Sequence, residues 1–529
     1  MGSAHGRLTM AGWSGAAGLW GGAVALIALA GTVGPATARG AANRDKSPKP
    51  PNIVLITTDD QAVQTVRPDT MPNLLSRVGP NATTFTNALV TTPLCCPSRA
   101  SMLTGQYPHN NGVLKNDYGQ LREKTNTLPK WLDRAGYTTI HVGKYLNLYR
   151  KSRGPESRPA PGWDVWQSVK EPIRYYEYGF SANGHTVHYG STDRDYLTDV
   201  LNRKAARLVR SHAPRKRPFF LQFDQYAPHD SPGRGSGPCH GGHDAVPAPS
   251  EETLYADEPL PRPPSFDEED VSDKPSFVRR ATINVGTVTR EYRCGLASLR
   301  AADRGIGAVH DALREAGELK KTAIIFISDN GYLYGEHRLR FKLLPYEEAM
   351  RVPLMISLPK RLRDGARRIP ELSETVANID IAPTIVDLAD ATPCKRKRKC
   401  RMMDGRSLVP LLRGKRAEWP QDRALVAEFT GRFSGFASCS YRGIRTPRHL
   451  YVQHTLIPNL TTGVCEPGLE VEHYDLSTDP FQLENLHPAD AGSPRARQES
   501  DLAKRLAALQ RCAGIAGRDA PRRGRPFCE

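Results

Sequence analysis

Three unbroken apolar runs lead into polar residues of a similar kind. Asn52-Ile53-Val54-Leu55-Ile56-Thr57-Thr58 closes on Asp59-Asp60. Phe219-Phe220-Leu221-Gln222-Phe223-Asp224 leads into Tyr226-Ala227-Pro228-His229. Thr322-Ala323-Ile324-Ile325-Phe326-Ile327-Ser328 closes on Asp329-Asn330-Gly331. A continuous apolar run predicts a strand buried on both faces, as in a parallel sheet. Ligands of open α/β sheets sit beyond the carboxyl ends of the strands, where these polar residues fall. Tyr137–Leu146 reads as a further strand and turn. Helical spacing covers Thr127–Gly136, closed by its glycine, and Asp195–Ser211. It also covers Arg290–Ala316, where Tyr292, Leu296, Leu299, Ile306, Val309 and Leu313 fall at core positions and Gly317 is the stop. Met71-Pro72-Asn73-Leu74-Leu75 begins a short helix, and Ser98 to Gly105 predicts a helix starting just after Pro97. Tyr- and Gly-rich residues 173–190 suit a hairpin near a cleft. From about residue 420 the pattern changes to short antiparallel segments at 424–429, 441–445 and 450–452, with a final helix near 500–511.

The first 51 residues stand apart. Trp13 to Val33 is an apolar run followed by Ala36-Thr37-Ala38, a small-x-small cleavage pattern, so 1–38 reads as a secretory signal peptide. The competing reading is an uncleaved membrane anchor. Residues 39–51, with Pro48, Pro50 and Pro51, read as a linker. The remainder divides into a catalytic domain at 52–415 and a subdomain with a basic tail at 420–529.

Length and charge narrow the partners. A chain of 529 residues, 39% hydrophobic and 24% charged, can bury a large core. Its net charge of +17 favours anionic partners. The densest basic run, Lys395-Arg396-Lys397-Arg398-Lys399-Cys400-Arg401, reads as a solvated loop or as a contact for a polyanion. No aromatic-basic motif accompanies it, which argues against nucleic acid. Of ten cysteines, Cys95 and Cys96 are adjacent, and the other eight suggest structural disulfides in an oxidising compartment. Cys394 and Cys400 flank a short run that can close as a loop. Cys439 with Cys465 and Cys512 with Cys528 pair by proximity alone. Without Cys-x-x-Cys pairs, zinc is disfavoured.

Asp59-Asp60 at a strand end reads as a pair of hard oxygen ligands for a divalent cation or as a helix N-cap plus a turn, and Asp329-Asn330 closes a strand in the same way. One amide among three carboxylates suits Ca2+, with Mg2+ as the alternative. In residues 231–273, a long irregular loop, His240 and His243 suggest metal, but a flexible loop with Cys239 bridged is the reading adopted, and substrate specificity is expected there. His141 lies mid-strand, where a structural role is expected.

Leu94-Cys95-Cys96-Pro97-Ser98-Arg99-Ala100-Ser101-Met102-Leu103-Thr104-Gly105 resembles the sulfatase signature, Cys-x-Pro-Ser-Arg followed by four residues and Thr-Gly. The strand ends Asp59-Asp60 and Ser328-Asp329-Asn330-Gly331, the Gly143-Lys144 element and the Pro228-His229 element also match that family, over roughly residues 51–490. The resemblance implies an alkaline-phosphatase-like α/β sandwich with a central, mostly parallel sheet and a smaller C-terminal antiparallel sheet. It implies that Cys95, not Cys96, is converted to formylglycine by a dedicated formylglycine-generating enzyme. The hydrated aldehyde offers two hydroxyls, one to attack sulfur beside a metal and one to expel sulfate afterwards. Arg99, Lys144, His229 and Lys342 are the implied sulfate-binding and proton-handling residues, and Asp59, Asp60, Cys95, Asp329 and Asn330 the implied metal set. Arg338 and Arg340 lie close to Lys342, but the pattern points to the lysine. Many relatives carry His two positions after the first lysine; here it is Leu146, within Gly-Lys-Tyr-Leu-Asn, as in the branch containing N-acetylglucosamine-6-sulfatases. The implied activity is sulfate ester hydrolysis on a sulfated sugar such as N-acetylglucosamine-6-sulfate, or on an aryl sulfate. Alternatives are a phosphoester or phosphonate-ester hydrolase on the same fold, and a non-catalytic secreted polyanion-binding protein with Cys95 unmodified.

Overall fold

Five parallel strands form the middle of a ten-stranded sheet in the computed structural model. Asn52–Thr58 is flanked by Phe219–Asp224 and Thr322–Ser328, and Thr138–Gly143 and Val165–Val169 continue outward from Phe219–Asp224. On one side the antiparallel Leu354–Ser357 and Ala82–Phe85 follow, with Glu371–Leu372, parallel to Ala82–Phe85, at the edge; on the other side the sheet is completed by antiparallel Gly179–Ala182 and His185–His188. The last two form the hairpin expected in 173–190. The structure describes residues 50–149, 158–231, 238–239, 242–395, 399–431, 439–459, 461–462 and 464–529. The expected signal peptide and nearly all of the linker, His240, and Arg396, Lys397 and Arg398 of the basic run lie outside the described residues.

The three apolar runs are wholly buried, and their alternation shows why. Ile53 and Leu55 face one layer with Leu103, Leu132 and Ile385, from the helices Cys95–Thr104, Leu128–Arg134 and Ile381–Leu388. Val54 and Ile56 face the other with Leu201, Val209, Ile306 and Val309, from Leu197–His212 and Val285–Glu315. Both faces of the strand are covered by helices, so neither face admits polar residues. This is the expected α/β sandwich.

Register brings the polar ends together. Thr57 pairs with Asp224, Thr58 with Ser328, and Gly143 with Asp224. Asp59, Asp329, Asp224 and Lys144 therefore emerge at one edge of the sheet.

Leu425–Phe429, Tyr441–Arg445, His449–Pro458 and Cys465–Asp475 form a separate four-stranded antiparallel sheet. The helix Pro494–Leu509 lays Leu502, Leu506 and Leu509 into its core, which is shared with Leu94, Tyr107, Leu343 and Tyr346. That helix starts earlier than the periodicity suggested, because Ser493 accepts from the Ala496 N–H at 3.0 Å and Pro494 occupies the first turn. The signature helix also starts earlier, at Cys95 rather than after Pro97. A proline in the first turn lacks only an N–H that would find no helical acceptor. Leu74–Val78 is one wide turn rather than a regular helix.

Four disulfides join Cys239 to Cys294, Cys394 to Cys400, Cys439 to Cys465 and Cys512 to Cys528, leaving Cys95 and Cys96 free. The first ties the 231–273 loop to the long helix Val285–Glu315. Arg401 corrects the reading of the basic run as wholly solvated: it is buried, with Nε donating to Asn126 O at 2.7 Å and NH2 to Arg122 O at 2.7 Å. Among the described residues no helix is long and apolar enough to cross a membrane.

Candidate active site

Cys95 occupies the first position of the Cys95–Thr104 helix, where unsatisfied backbone N–H groups and the positive end of the helix dipole gather. The helix ends at Gly105, whose φ of 67° is the left-handed geometry of a C-terminal glycine cap. The two cysteines face different surroundings. The Cys95 Sγ lies 3.4 Å from Asp59 Oδ1 and accepts from Lys342 Nζ at 3.0 Å. Cys96 points into the apolar core, where burial pushes its thiol pKa up, and its backbone N–H donates to Asn116 Oδ1 at 3.0 Å. Only Cys95 belongs to the charged cluster.

That cluster assembles every residue picked out at the strand ends. Lys144 pairs with Asp59, and Lys342 pairs with Asp60. His229 Nε2 lies 3.6 Å from Asp60 Oδ2. Arg99 is buried, with Nε donating to Asp329 Oδ2 at 2.7 Å and NH2 to Asp59 Oδ2 at 3.3 Å. Burial alone would raise the Asp59 carboxyl, but Lys144, His229 and Arg99 hold it below its usual range. Burial would lower the Lys342 ammonium, but Asp60, Cys95 and Asp59 hold it well above. His229 follows the same rule: burial opposes its charge and Asp60 and Asp59 favour it, so its pKa rises well above the usual value. Its ring stacks on Tyr226 at 4.9 Å. Its Nδ1 donates to the carboxylate of Asp230 at 2.8 Å, which leaves Nε2 facing the cluster.

The residues present suit a hard divalent cation. Asp59, Asp60, Cys95 and His229 offer ligand atoms all within 4.8 Å of one another. Asn330 donates its amide N–H groups to Asp60 Oδ1 and Gly331 O, both at 2.8 Å. Its Oδ1 is buried and has no partner. A buried acceptor left without a donor is costly, and an oxygen-seeking cation satisfies it. Asp60 adopts φ 65°, unusual for a residue with a side chain, and its N–H meets Asp329 Oδ1 at 3.2 Å.

Two groups escaped the sequence reading. Asp224 lies 3.3 Å from Arg99 NH1 and 3.4 Å from His141 Nδ1. Its signal was present, a carboxylate at a strand end like Asp59 and Asp329. Asp230 bridges His229 to His243 Nδ1, 3.1 Å away, and no local pattern marks it. Leu146, at the position where the sequence resemblance implied a histidine in many relatives, packs into the apolar core with Tyr145, Tyr149 and Trp166.

The Sulfatase family model matches residues 51–391, and the model for the C-terminal part of N-sulphoglucosamine sulphohydrolase matches residues 335–511. The chain is 30% identical over 508 residues to the N-acetylglucosamine-6-sulfatase of Homo sapiens, covering 88% of this chain and 85% of that protein. It is 32% identical over 402 residues to the extracellular sulfatase SULF-1 homologue of Drosophila melanogaster, covering 72% of this chain. It spans only 33% of that protein and 49% of a similar homologue from Caenorhabditis elegans. A solved structure described as a complex with its substrate, D-glucosamine-2-N,6-O-disulfate, superimposes with a TM-score of 0.71 at 23% identity, covering 87% of this chain and 98% of that one.

Proposed function

The chain belongs to the sulfatase family, and on that premise we propose that it hydrolyses sulfate esters of amino sugars of the N-acetylglucosamine-6-sulfate kind, through Cys95 matured to formylglycine. The carrying observation is the place of Cys95: at a helix N-terminus, beside Asp59, within reach of Lys342 Nζ. Asp59, Asp60, Asp329 and Asn330 would hold Ca2+, together with residue 95. The cation supplies positive charge to the sulfuryl oxygens, and formylglycine supplies the hydroxyl nucleophile and the internal release of sulfate.

The chain's own side chains do the rest. Lys144 and Lys342, desolvated and kept charged by carboxylates, offer N–H donors to the sulfuryl oxygens as charge shifts toward the leaving oxygen. His229 holds a proton on Nε2. As the ester S–O bond breaks, that proton passes to the sugar oxygen, and the product leaves as a neutral alcohol. Arg99 fixes the carboxylates Asp59 and Asp329 against each other.

The sugar assignment is supported by the human relative and by the Gly143-Lys144-Tyr145-Leu146-Asn147 element. Export from the cytoplasm is supported by four disulfides, the extracellular relatives and the apolar N-terminal run. We keep the division into a 52–415 catalytic domain and a 420–529 subdomain, and polyanion contact through Lys395 and its neighbours, as parts of the same proposal. The test is a panel of N-acetylglucosamine-6-sulfate, 4-nitrophenyl sulfate, and the matching phosphate and phosphonate esters, assayed with matured protein. Release of sulfate, fastest from the sugar, is expected. Turnover confined to phosphate or phosphonate esters would overturn the proposal.

A further inference from the structure

Of the four carboxylates at these strand ends, Asp224 alone lies outside the set proposed to hold the ion. It is fully buried, and it closes a ring of three residues. Its carbonyl accepts the Lys144 N–H at 3.1 Å. The Lys144 carbonyl accepts Arg99 NH1 at 3.0 Å. The same NH1 lies 3.3 Å from Asp224 Oδ1, so one residue sets the backbone of one cation and balances the charge of another. The ring needs Gly143, which pairs with Asp224 at φ 117°; a Cβ there would lie 1.7 Å from the Asp224 carbonyl oxygen. The carboxylate is itself held: Gln222 Nε2 donates to Oδ2 at 2.8 Å, and His141 Nδ1 approaches the same oxygen at 3.4 Å.

The three faces of the Arg99 guanidinium meet three carboxylates: Nε meets Asp329, NH2 meets Asp59 and NH1 meets Asp224. A divalent cation on Asp59 and Asp329 draws on two of them. Asp224 is then the carboxylate left to balance the guanidinium. We propose that Asp224 is a positioning residue that anchors Arg99 and Lys144, and so keeps Arg99 from competing with the ion for Asp59 and Asp329. Without that charge Arg99 leans on the ion's ligands. This rests on the sulfatase reading for its kinetic consequence, but its electrostatic consequence is open to direct measurement.

The test is a double-mutant cycle on the full chain with Asp224→Asn, Arg99→Ala and the pair, read by sulfate-ester turnover and by calorimetric titration with Ca2+ alone. Removing an outer-sphere partner of a metal site costs about 10–100-fold in affinity or activity. Asp224→Asn is expected to lower kcat by that factor with KM within about threefold, and to weaken Ca2+ binding about tenfold. Both effects should vanish in the Arg99→Ala background, because the residue acts through Arg99. Losses of equal size in both backgrounds, or unchanged kcat and Ca2+ affinity, would overturn the inference. If Asp224→Asn does not fold, Gln222→Leu enters the same cycle with a smaller effect of the same sign, and its absence or additivity overturns the inference too. A wild type inert toward sulfate esters whose Ca2+ affinity still depends on Asp224 through Arg99 would sink the proposed function and leave the positioning role standing.

Discussion

Arg423 and Arg99 are both buried between carboxylates, and their surroundings differ. Arg423 NH1 and NH2 donate to the two oxygens of Asp380 at 2.6 and 2.9 Å, and its Nε reaches Glu529. Asp380 also takes the N–H groups of Ala377 and Arg406 at 2.7 and 2.8 Å, and Glu529 is completed by the Arg406 side chain. Two carboxylates face two guanidiniums, and each of these carboxylate oxygens has a donor. Around Arg99 the set stays open. Asp59, Asp60, Asp224 and Asp329 crowd together with Arg99, Lys144, Lys342 and His229, and Asn330 Oδ1 has no donor. A closed network of buried charge holds a structure in one arrangement. An open one holds charge in readiness for a ligand, at some expense in stability.

The contrast breaks most visibly at Cys95. Cys95→Ala should bring sulfate release to background, a loss on the order of 10^6-fold as for other covalent catalysts, while the thermal midpoint stays put. Asp380→Ala should do the reverse. Stranding Arg423 costs about 3–5 kcal/mol of folding stability, read as a lower denaturant midpoint, with turnover per folded molecule unchanged; parallel losses in both quantities would erase the distinction. Lys342→Ala should lower kcat by about 10^2–10^3-fold, the scale for one donor to developing charge, without loss of stability. Chelation should abolish turnover and lower the thermal midpoint, and Ca2+ should restore both; saturation a hundredfold above Kd corresponds to about 2.7 kcal/mol. A chelated protein with full activity would show that the oxygen set is structural.

The smallest effect concerns a like-charged pair beside the site. Burial first, and then Glu348, hold the Glu336 carboxyl above its ordinary 4.5. The folded chain therefore binds that proton more tightly than the unfolded chain. Its contribution to stability is present below the ordinary carboxylate value and is lost as pH rises toward the folded one. Glu336→Gln should flatten that decline, by at most about 1.4 kcal/mol per pH unit, in thermal midpoints followed across pH.

The sequence carried those parts of the site that depend on local pattern. Unbroken apolar runs announced strands covered on both faces, and the carboxylates closing them announced the ligand edge. Asp224 carried the same signal as Asp59 and Asp329, yet its role depends on strand order. It meets Arg99 and Lys144 because Phe219–Asp224 lies between Asn52–Thr58 and Thr138–Gly143, and no local window contains that fact. Basic neighbours point Arg401 outward in the sequence, whereas the carbonyls of Arg122 and Asn126 draw it inward. Pro97 looks like a helix boundary in the sequence, yet a first-turn proline lies comfortably inside a helix, and this one starts at Cys95.

The most direct measurement is peptide mass analysis of the segment spanning residue 95, on protein from its natural host. The account predicts an aldehyde in place of the Cys95 thiol and an unmodified thiol at Cys96. An intact Cys95 thiol in most molecules would contradict the proposed nucleophile and turn attention to a basic protein that binds sulfated polymers without cleaving them.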